Sequence, residues 1–259
     1  MDVKPSQRPF SPGSGWHRLR AEVRRVLCRA VVDAGPVDLG IEEIASWLRR
    51  QLPTSRALVA IDGPDGSGKT TFADRLAGQL SDRPVIVVHV DGFLNRSEVR
   101  HACGRFSPEG FWRDSYNYEA LRTYVLDPLR RTGLARYRPS CYDSATDTER
   151  LADAASAPSD AVVLLEGLFL HRDELVDQWD ASIFLDVPFE ETARRMSLRD
   201  GSPPNPAHPS MRRYVDGQRI YYATARPWER ATLVVDNNGD EPRIIDPCQA
   251  SALADQPDY

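Results

Sequence analysis

A short stretch of the chain combines three glycines, a lysine and two threonines. It reads Gly63-Pro64-Asp65-Gly66-Ser67-Gly68-Lys69-Thr70, is followed by Thr71, and matches the pattern G-x-x-x-x-G-K-[ST]. Without a Cβ, glycine adopts backbone conformations closed to other residues, so successive N–H groups can point at one anion. The stretch therefore predicts a loop that holds nucleotide phosphates. The residues predicted to contact the nucleotide are Gly63, Asp65, Gly66, Ser67, Gly68, Lys69, Thr70 and Thr71.

Lysine is rare in this chain, and one of its two copies stands in the glycine-rich stretch. Of 33 basic residues only Lys4 and Lys69 are lysines, and the rest are arginines. A compact ammonium reaches between the β- and γ-phosphates, where a planar guanidinium cannot replace it. The hydroxyl of Thr70 is expected to bind Mg²⁺ on the same phosphates. We therefore predict ATP and Mg²⁺ as cofactors, with the choice between ATP and GTP as donor left open.

Two acidic residues end apolar runs and are each followed by a glycine. Asp91 ends the run 85–91 and Glu166 ends the run 161–166. Carboxyl ends of parallel strands share one edge of a sheet, so both acids are expected beside the glycine-rich loop. A carboxylate there can hold Mg²⁺ or accept the proton of an attacking hydroxyl. Three other acids at strand ends are interpreted as structural, the first as a buttress of the loop: Asp62, Asp186 and Asp236.

The elements that must position these residues are visible as hydrophobic runs. Five nearly continuous apolar runs predict parallel strands buried on both faces, at 57–62, 85–91, 161–166, 181–187 and 231–236. Helical periodicity marks the segments 71–80, 118–131, 188–199 and 211–222. Alternation of strands and helices predicts an α/β fold, a five-stranded parallel sheet flanked by helices, with ligands at the carboxyl ends of the strands.

Composition excludes several classes of protein. The net charge of −5 has no excess of positive charge for nonspecific nucleic-acid binding. No apolar run is long enough to span a membrane, and the N-terminus lacks the apolar segment of a signal peptide. Four scattered cysteines, Cys28, Cys103, Cys141 and Cys248, have no C-x-x-C spacing and argue against a disulfide framework or a zinc site. We expect a cytoplasmic protein that binds neither nucleic acid nor membrane.

The order of motifs along the chain resembles the uridine kinase family, within the phosphoribulokinase/uridine kinase group of P-loop kinases, and most of all its divergent bacterial branch. After the glycine-rich loop these motifs are Asp91-Gly92-Phe93, Arg138-Pro139-Ser140-Cys141-Tyr142-Asp143, Leu165-Glu166-Gly167, Ala193-Arg194-Arg195 and Arg199-Asp200. The resemblance implies a P-loop NTPase fold of the nucleoside- and NMP-kinase type, Mg-ATP as donor and a hydroxyl as acceptor. A homo-oligomer is compatible with it.

The resemblance also assigns roles to single residues. It implies that Asp91 accepts the proton of the hydroxyl and that Glu166 helps to position Mg²⁺. The predicted catalytic residues are Asp91, Lys69, Arg195 and Arg199, the two arginines lying on a lid over the triphosphate. The predicted metal ligands are Thr70, Asp91 and Glu166. Tyr142 and Phe93 are implied to contact the acceptor, and the position of Arg105 and Trp112 in the insertion adds these two residues to the prediction.

The acceptor half of the motif set departs from the family. Trp112 stands where the family has an acceptor-contacting aspartate, and Asp147 stands where it has a base-reading histidine. The prediction is therefore a kinase for a small-molecule hydroxyl, with a nucleoside as the favoured acceptor. Two alternatives stay open: a kinase for a non-nucleoside such as a sugar, a pantothenate-like compound or an antibiotic, and a nucleotide-binding regulatory protein without kinase activity.

The same pattern divides the chain into segments. We predict a disordered N-terminus at 1–15, an N-terminal helical appendage at 16–56, a kinase domain at 57–240 and a tail at 241–259. Within the kinase domain, residues 92–160 form an insertion that binds the acceptor and residues 194–210 form the lid.

Several side chains have two interpretations from sequence alone. The aromatic residues of the insertion are expected to wall the acceptor pocket or to form a small core of their own: Phe106, Phe111, Trp112, Tyr116 and Tyr118. Asn237 and Asn238 reach the adenine or form a turn. His89 is interpreted as a core residue. His101 contacts the acceptor or belongs to a solvated loop, and the loop is favoured.

Overall fold

The computed structural model describes residues 40–255. The predicted N-terminus at 1–15, residues 16–39 of the predicted appendage, and the last four residues lie outside the described residues.

The helices and strands follow one another along the chain in mixed order. The helices are α1 (Ile41–Gln51), α2 (Lys69–Gln79), α3 (Ser97–Arg100), α4 (Pro108–Asp114), α5 (Tyr118–Leu121), α6 (Asp127–Leu129), α7 (Phe189–Asp200), α8 (Arg212–Ala225) and α9 (Pro227–Arg230). The strands are β1 (Ala57–Asp62), β2 (Val85–His89), β3 (Ala135–Tyr137), β4 (Tyr142–Asp143), β5 (Thr148–Glu149), β6 (Ala155–Ala157), β7 (Val162–Glu166), β8 (Ala181–Asp186), β9 (Leu233–Asp236) and β10 (Arg243–Ile245).

A six-stranded sheet forms the centre of the fold, in the order β10-β9-β8-β1-β7-β2. Its five strands from β9 to β2 are parallel, and β10 pairs with β9 in the antiparallel sense. Every residue of β1, β7 and β8 is buried, which explains their continuous hydrophobicity. The predicted five-stranded parallel sheet is confirmed, and β10 is an edge strand that the pattern did not indicate.

Helix α1 packs against α2 through its apolar face. The side chains of Ile44 and Leu48 are fully buried there. At the end of α1, the Arg49 guanidinium donates to the carboxylate of Asp82, with Nε and Oδ1 3.0 Å apart. No helix within residues 40–255 combines the length and the apolar character needed to cross a membrane.

The insertion at 92–160 consists of short elements. A π-helical turn, Arg122–Leu126, joins α5 to α6. Two small antiparallel pairs follow, β3 with β6 and β4 with β5. The insertion packs on the rest of the protein mainly where α4 contacts α8. That contact closes one side of a cleft at the carboxyl edge of the sheet.

Candidate active site

A cleft of about 530 Å³ lies at the carboxyl edge of β1, β2 and β7. One wall is formed by the glycine-rich loop, the start of α2 and the end of β7, and we call it the donor wall. The facing wall is formed by the insertion and the start of α8, and we call it the acceptor wall. Helix α7 lies at the rim of the cleft and contributes Arg195 and Arg199.

The glycine-rich loop has the backbone conformation that its sequence predicts. Gly66 and Gly68 have φ values of +79° and +86°, in the left-handed region that favours glycine. Gly68 is the residue at which α2 begins, so the free N–H groups of the helix face the loop. The Lys69 ammonium donates to the backbone oxygens of Gly63 and Pro64, at 3.2 and 2.9 Å. The loop thus forms an anion cradle with its lysine folded over it.

Asp62 anchors the glycine-rich loop through a hydrogen bond. One of its carboxylate oxygens accepts a hydrogen bond from the Gly63 N–H at 2.7 Å. The other oxygen lies 2.8 Å from Nδ1 of His171 and accepts from the Tyr221 hydroxyl at 2.5 Å. All three side chains are buried. The interpretation of Asp62 as a structural buttress is confirmed.

Thr70 and Glu166 meet on the donor wall. The Thr70 hydroxyl donates to Oε1 of Glu166 at 3.1 Å, and Glu166 is only 7% exposed. A hydroxyl and a carboxylate are hard oxygen donors of the kind that Mg²⁺ uses together with phosphates and water. These residues therefore fit the predicted cation, as ligands that supply part of its coordination.

His89 is a second partner of Glu166. Its Nδ1 lies 2.6 Å from Oε1 of Glu166, and its side chain is 54% exposed. The interpretation of His89 as a core residue is therefore wrong. The parallel pairing of β2 with β7 places His89 directly opposite Glu166, and this register is invisible in the sequence.

Asp91 lies on a 3₁₀ turn, Val90–Phe93, directly after β2. The turn exposes Asp91 to the cleft, and the Tyr116 hydroxyl donates to its Oδ1 at 2.7 Å. Burial, and then the charge of Asp91, raise the pKa of Tyr116 well above its usual range, so the hydroxyl remains a donor. A Cβ at Gly167 would lie 2.6 Å from Cβ of Val90. The chain after Glu166 thus packs directly against the turn that carries Asp91.

The two predicted lid arginines differ in how firmly they are held. The Arg195 guanidinium pairs with Glu191 at 2.7 Å and donates to the backbone oxygens of Asn237 and Asn238. Arg199 is exposed and pairs with Asp200 at 2.8 Å. Arg195 is therefore fixed beside the loop, whereas Arg199 is exposed at the rim and pairs only with the adjacent Asp200.

Asn237 is bound to the loop itself. Its side-chain amide donates to the Ser67 oxygen at 2.8 Å. The amide nitrogen of Asn237 also lies 3.2 Å from the position that a Cβ would occupy at residue 68, so this side chain packs closely against Gly68.

The four residues predicted to contact the acceptor do not line the cleft. Phe93 is fully buried, since the turn that exposes Asp91 points it into the core. Trp112 packs edge-on against Phe169, with ring centroids 5.0 Å apart. The Tyr142 hydroxyl donates to Asp147 at 2.7 Å. The side chain of Arg105 lies on an exposed stretch before α4.

Phe111, not Trp112, faces the cleft from α4. Successive helical residues point about 100° apart, so one aromatic side chain lines the site and the next enters the core. The aromatic residues of the insertion thus serve both expected purposes. Phe111 and Tyr116 wall the cleft, Trp112 belongs to the core, and Phe106 is 72% exposed.

Sequence reasoning missed most of the acceptor wall. Arg100 and Arg213 both line the cleft, and neither was singled out. His101, which the sequence places either against the acceptor or in a solvated loop, also lines the cleft and is only partly exposed. Arg213 lies more than 100 residues after Arg100, on another element, so no local spacing could have signalled that the two meet.

Comparison with known proteins gives a consistent result. No protein-family model matches the chain. A uridine kinase of Ureaplasma parvum is 27% identical over 149 residues, which is 56% of this chain and 70% of that protein. Nicotinamide riboside kinase 1 of Homo sapiens is 29% identical over 149 residues, 57% of this chain and 67% of that protein.

Two solved structures share the fold. A possible uridine kinase from Bacillus stearothermophilus has a TM-score of 0.57 and 24% identity, covering 75% of this chain and 96% of its own. A putative fructose transport system kinase from Silicibacter has a TM-score of 0.55 and 25% identity, covering 74% and 94%.

The fold and the glycine-rich loop are those of the P-loop kinases, and the named relatives of the chain are phosphotransferases. Among P-loop kinases, its relatives include uridine kinases and nicotinamide riboside kinases, which confirms the family resemblance predicted from the motifs.

Proposed function

We propose that this protein transfers the γ-phosphoryl group of ATP, with Mg²⁺, to a hydroxyl group of a small molecule. The observation that carries the proposal is the arrangement of Asp91 in the same cleft as Lys69, Thr70 and Glu166. A phosphate cradle alone would suit any nucleotide-binding protein. A carboxylate exposed in the same cleft adds a group that accepts a hydroxyl proton.

On the donor wall, each residue has a distinct task. The backbone N–H groups of the loop and of the start of α2 bind the phosphates, and Lys69 swings from its carbonyl partners onto them. Thr70 and Glu166 would hold Mg²⁺, which when bound neutralises charge on the phosphates. Arg195 and Arg199 add cations where charge builds up on the transferred group.

Asp91 orients the acceptor. The acceptor oxygen attacks the γ-phosphorus, its proton passes to the Asp91 carboxylate, and the bond from phosphorus to the bridging oxygen of ADP breaks. The Tyr116 hydroxyl occupies Oδ1 of Asp91 and so fixes the rotation of the carboxylate. In this proposal the insertion 92–160 supplies the acceptor wall, and residues 194–210 form a lid over the triphosphate.

The names of the relatives favour a nucleoside as acceptor. Uridine and nicotinamide riboside are therefore the first compounds to test, followed by sugars, pantothenate-like compounds and antibiotics. Consumption of ATP that depends on the acceptor is the measurement. ATP binding with no acceptor-dependent consumption across the panel would instead identify a nucleotide-binding regulatory protein.

The variant Asp91→Asn tests the mechanism. It keeps the shape of the side chain and removes the proton acceptor, so turnover should fall by about 10² to 10⁴ while ATP affinity stays the same. Asp82→Asn is the matched control, since Asp82 lies on the surface in an ion pair with Arg49. Full turnover in Asp91→Asn would show that another group takes the proton.

A further inference from the structure

We propose that the acceptor carries an anionic group, a phosphate or a carboxylate, which is bound on the acceptor wall by Arg213, Arg100 and His101. This inference rests on the proposed function and names the chemistry of its second substrate.

Arg213 is a buried cation without a counter-ion. It is 6% exposed and lines the cleft, and its guanidinium donates to the backbone oxygens of Arg105 and Arg100. Its Nε is buried with no partner. Within residues 40–255, no carboxylate lies within ion-pair distance of it. A buried charge that lacks an opposite charge is costly, so the site is incomplete until an anion fills it.

The neighbours of Arg213 add to the positive charge. Arg100 has one carboxylate near it, Asp147, at 3.7 Å. That carboxylate already accepts hydrogen bonds from the Ser97 N–H and from the Tyr142 hydroxyl, at 2.8 and 2.7 Å. The acceptor wall therefore has more cationic than anionic groups.

The positive charge of the acceptor wall also affects the pKa of His101. Burial, followed by the charges of Arg213, Arg100 and Arg105, lowers its pKa below the usual range for histidine. A neutral His101 still offers an N–H, and a bound anion would reverse the effect of the arginines. Three groups on one wall thus favour a negatively charged ligand.

The anion at this site is not the triphosphate. Helix α8 contacts the glycine-rich loop through Gln218, whose Oε1 accepts from the Asp65 N–H at 2.7 Å. Arg213 precedes Gln218 by five residues, about 7.5 Å along the helix axis, and it donates to the insertion. On the loop side, Lys69 and Arg195 already serve the phosphates. Arg213 therefore faces the second substrate.

The test compares pairs of acceptors that differ only in an anionic group: ribose with ribose 5-phosphate, uridine with uridine 5′-phosphate, and glycerol with glycerate. The charged member of at least one pair should have a kcat/KM at least 10-fold above its neutral partner. In Arg213→Gln this preference should disappear through a higher KM for the charged acceptor, with the KM for ATP unchanged. Arg213→Lys should restore part of it. Comparison of the phosphate pairs with the carboxylate pair shows which of these two anionic groups the site binds.

Arg212→Gln is the matched control, because Arg212 is the preceding residue on the same helix and is 70% exposed. It should leave both KM values unchanged. Circular dichroism of all three variants identifies any that fail to fold.

The outcomes separate this inference from the proposed function. If only neutral acceptors are phosphorylated, the proposed kinase activity stands and the proposed anion site is wrong. A rise in the KM for ATP in Arg213→Gln would assign the residue to the donor and also overturn it. If neither member of any pair is consumed, binding of inorganic phosphate decides, measured calorimetrically with Mg²⁺ and a non-hydrolysable ATP analogue filling the donor wall. Binding by the wild type that Arg213→Gln loses supports the site, and no binding by the wild type overturns it.

Discussion

The donor wall and the acceptor wall of the cleft are built in different ways. Most of the donor wall comes from nine consecutive residues, 63–71, and one strand end, whereas the acceptor wall joins α8 to segments more than 100 residues earlier. A triphosphate is the same in every kinase, so one short motif suffices to bind it. The acceptor differs between kinases, and no single short motif of this chain supplies its wall.

The two walls also differ in their electrostatic balance. On the donor wall, Lys69 rests on backbone oxygens and Glu166 is shared by Thr70 and His89. On the acceptor wall, Arg213 has backbone partners but no carboxylate among the residues that the structure describes. The donor wall is thus organised before a ligand arrives, and the acceptor wall is left with positive charge.

The largest expected effect tests the donor wall. Lys69→Ala removes the ammonium that we propose to reach the β- and γ-phosphates, so turnover should fall by about 10³ or more, as for the loss of a group that stabilises developing charge. Steady-state kinetics with saturating ATP measures it. Arg75→Ala, on the exposed side of the same helix, is the control and should keep full activity. Near-normal turnover in Lys69→Ala would contradict the proposal that the donor wall binds the phosphates.

A smaller loss is expected at Glu166. Glu166→Gln keeps the hydrogen bond from Thr70 and removes the charge, so turnover should fall by about 10²-fold at low Mg²⁺, in the range seen when groups around a metal site are changed. Raising Mg²⁺ should recover part of it. A titration of activity against Mg²⁺ measures this, and an unchanged half-saturation concentration would show that Glu166 does not serve the metal.

Much of the fold could be predicted because the three central strands β1, β7 and β8 are buried on both faces. The five parallel strands were visible as continuous apolar runs, and the loop at Gly63 was visible as a motif. Strand β10 was not, because it has three residues and is only partly buried. The short antiparallel strand pairs of the insertion were not predicted either, for the same reason.

The acceptor wall could not be predicted, because it depends on the direction in which single side chains point. Helix α4 has seven residues, too few for its periodicity to show that Phe111 faces the cleft and Trp112 the core. The position of His89 opposite Glu166 follows from strand register. Arg213 was one arginine among 31, and its burial at the cleft is visible only in the folded structure.

A moderate effect is expected at Tyr116, which touches the proposed base from the acceptor wall. Tyr116→Phe keeps the buried ring and removes the hydrogen bond to Asp91, worth about 1.5–3 kcal/mol for a charged partner. The kcat should fall about 10-fold, with the KM for ATP unchanged. Because the pKa of Tyr116 is well above its usual range, its hydroxyl donates throughout the assay range, and the loss should be similar at pH 6.5 and 8.5. A loss confined to high pH would contradict this role.

The smallest effect is expected at Arg105, a residue of the insertion that was predicted to contact the acceptor. Its side chain lies outside the lining of the cleft, and it contributes a backbone oxygen to Arg213. Arg105→Gln keeps that oxygen and removes only a distant charge, so the KM for the acceptor should change by less than about 2-fold, as expected for an exposed charge screened by solvent. Arg213→Gln assayed in parallel gives the contrast. An equal rise of KM in both variants would mean that the exposed and buried arginines act alike, and that the acceptor wall extends beyond the cleft.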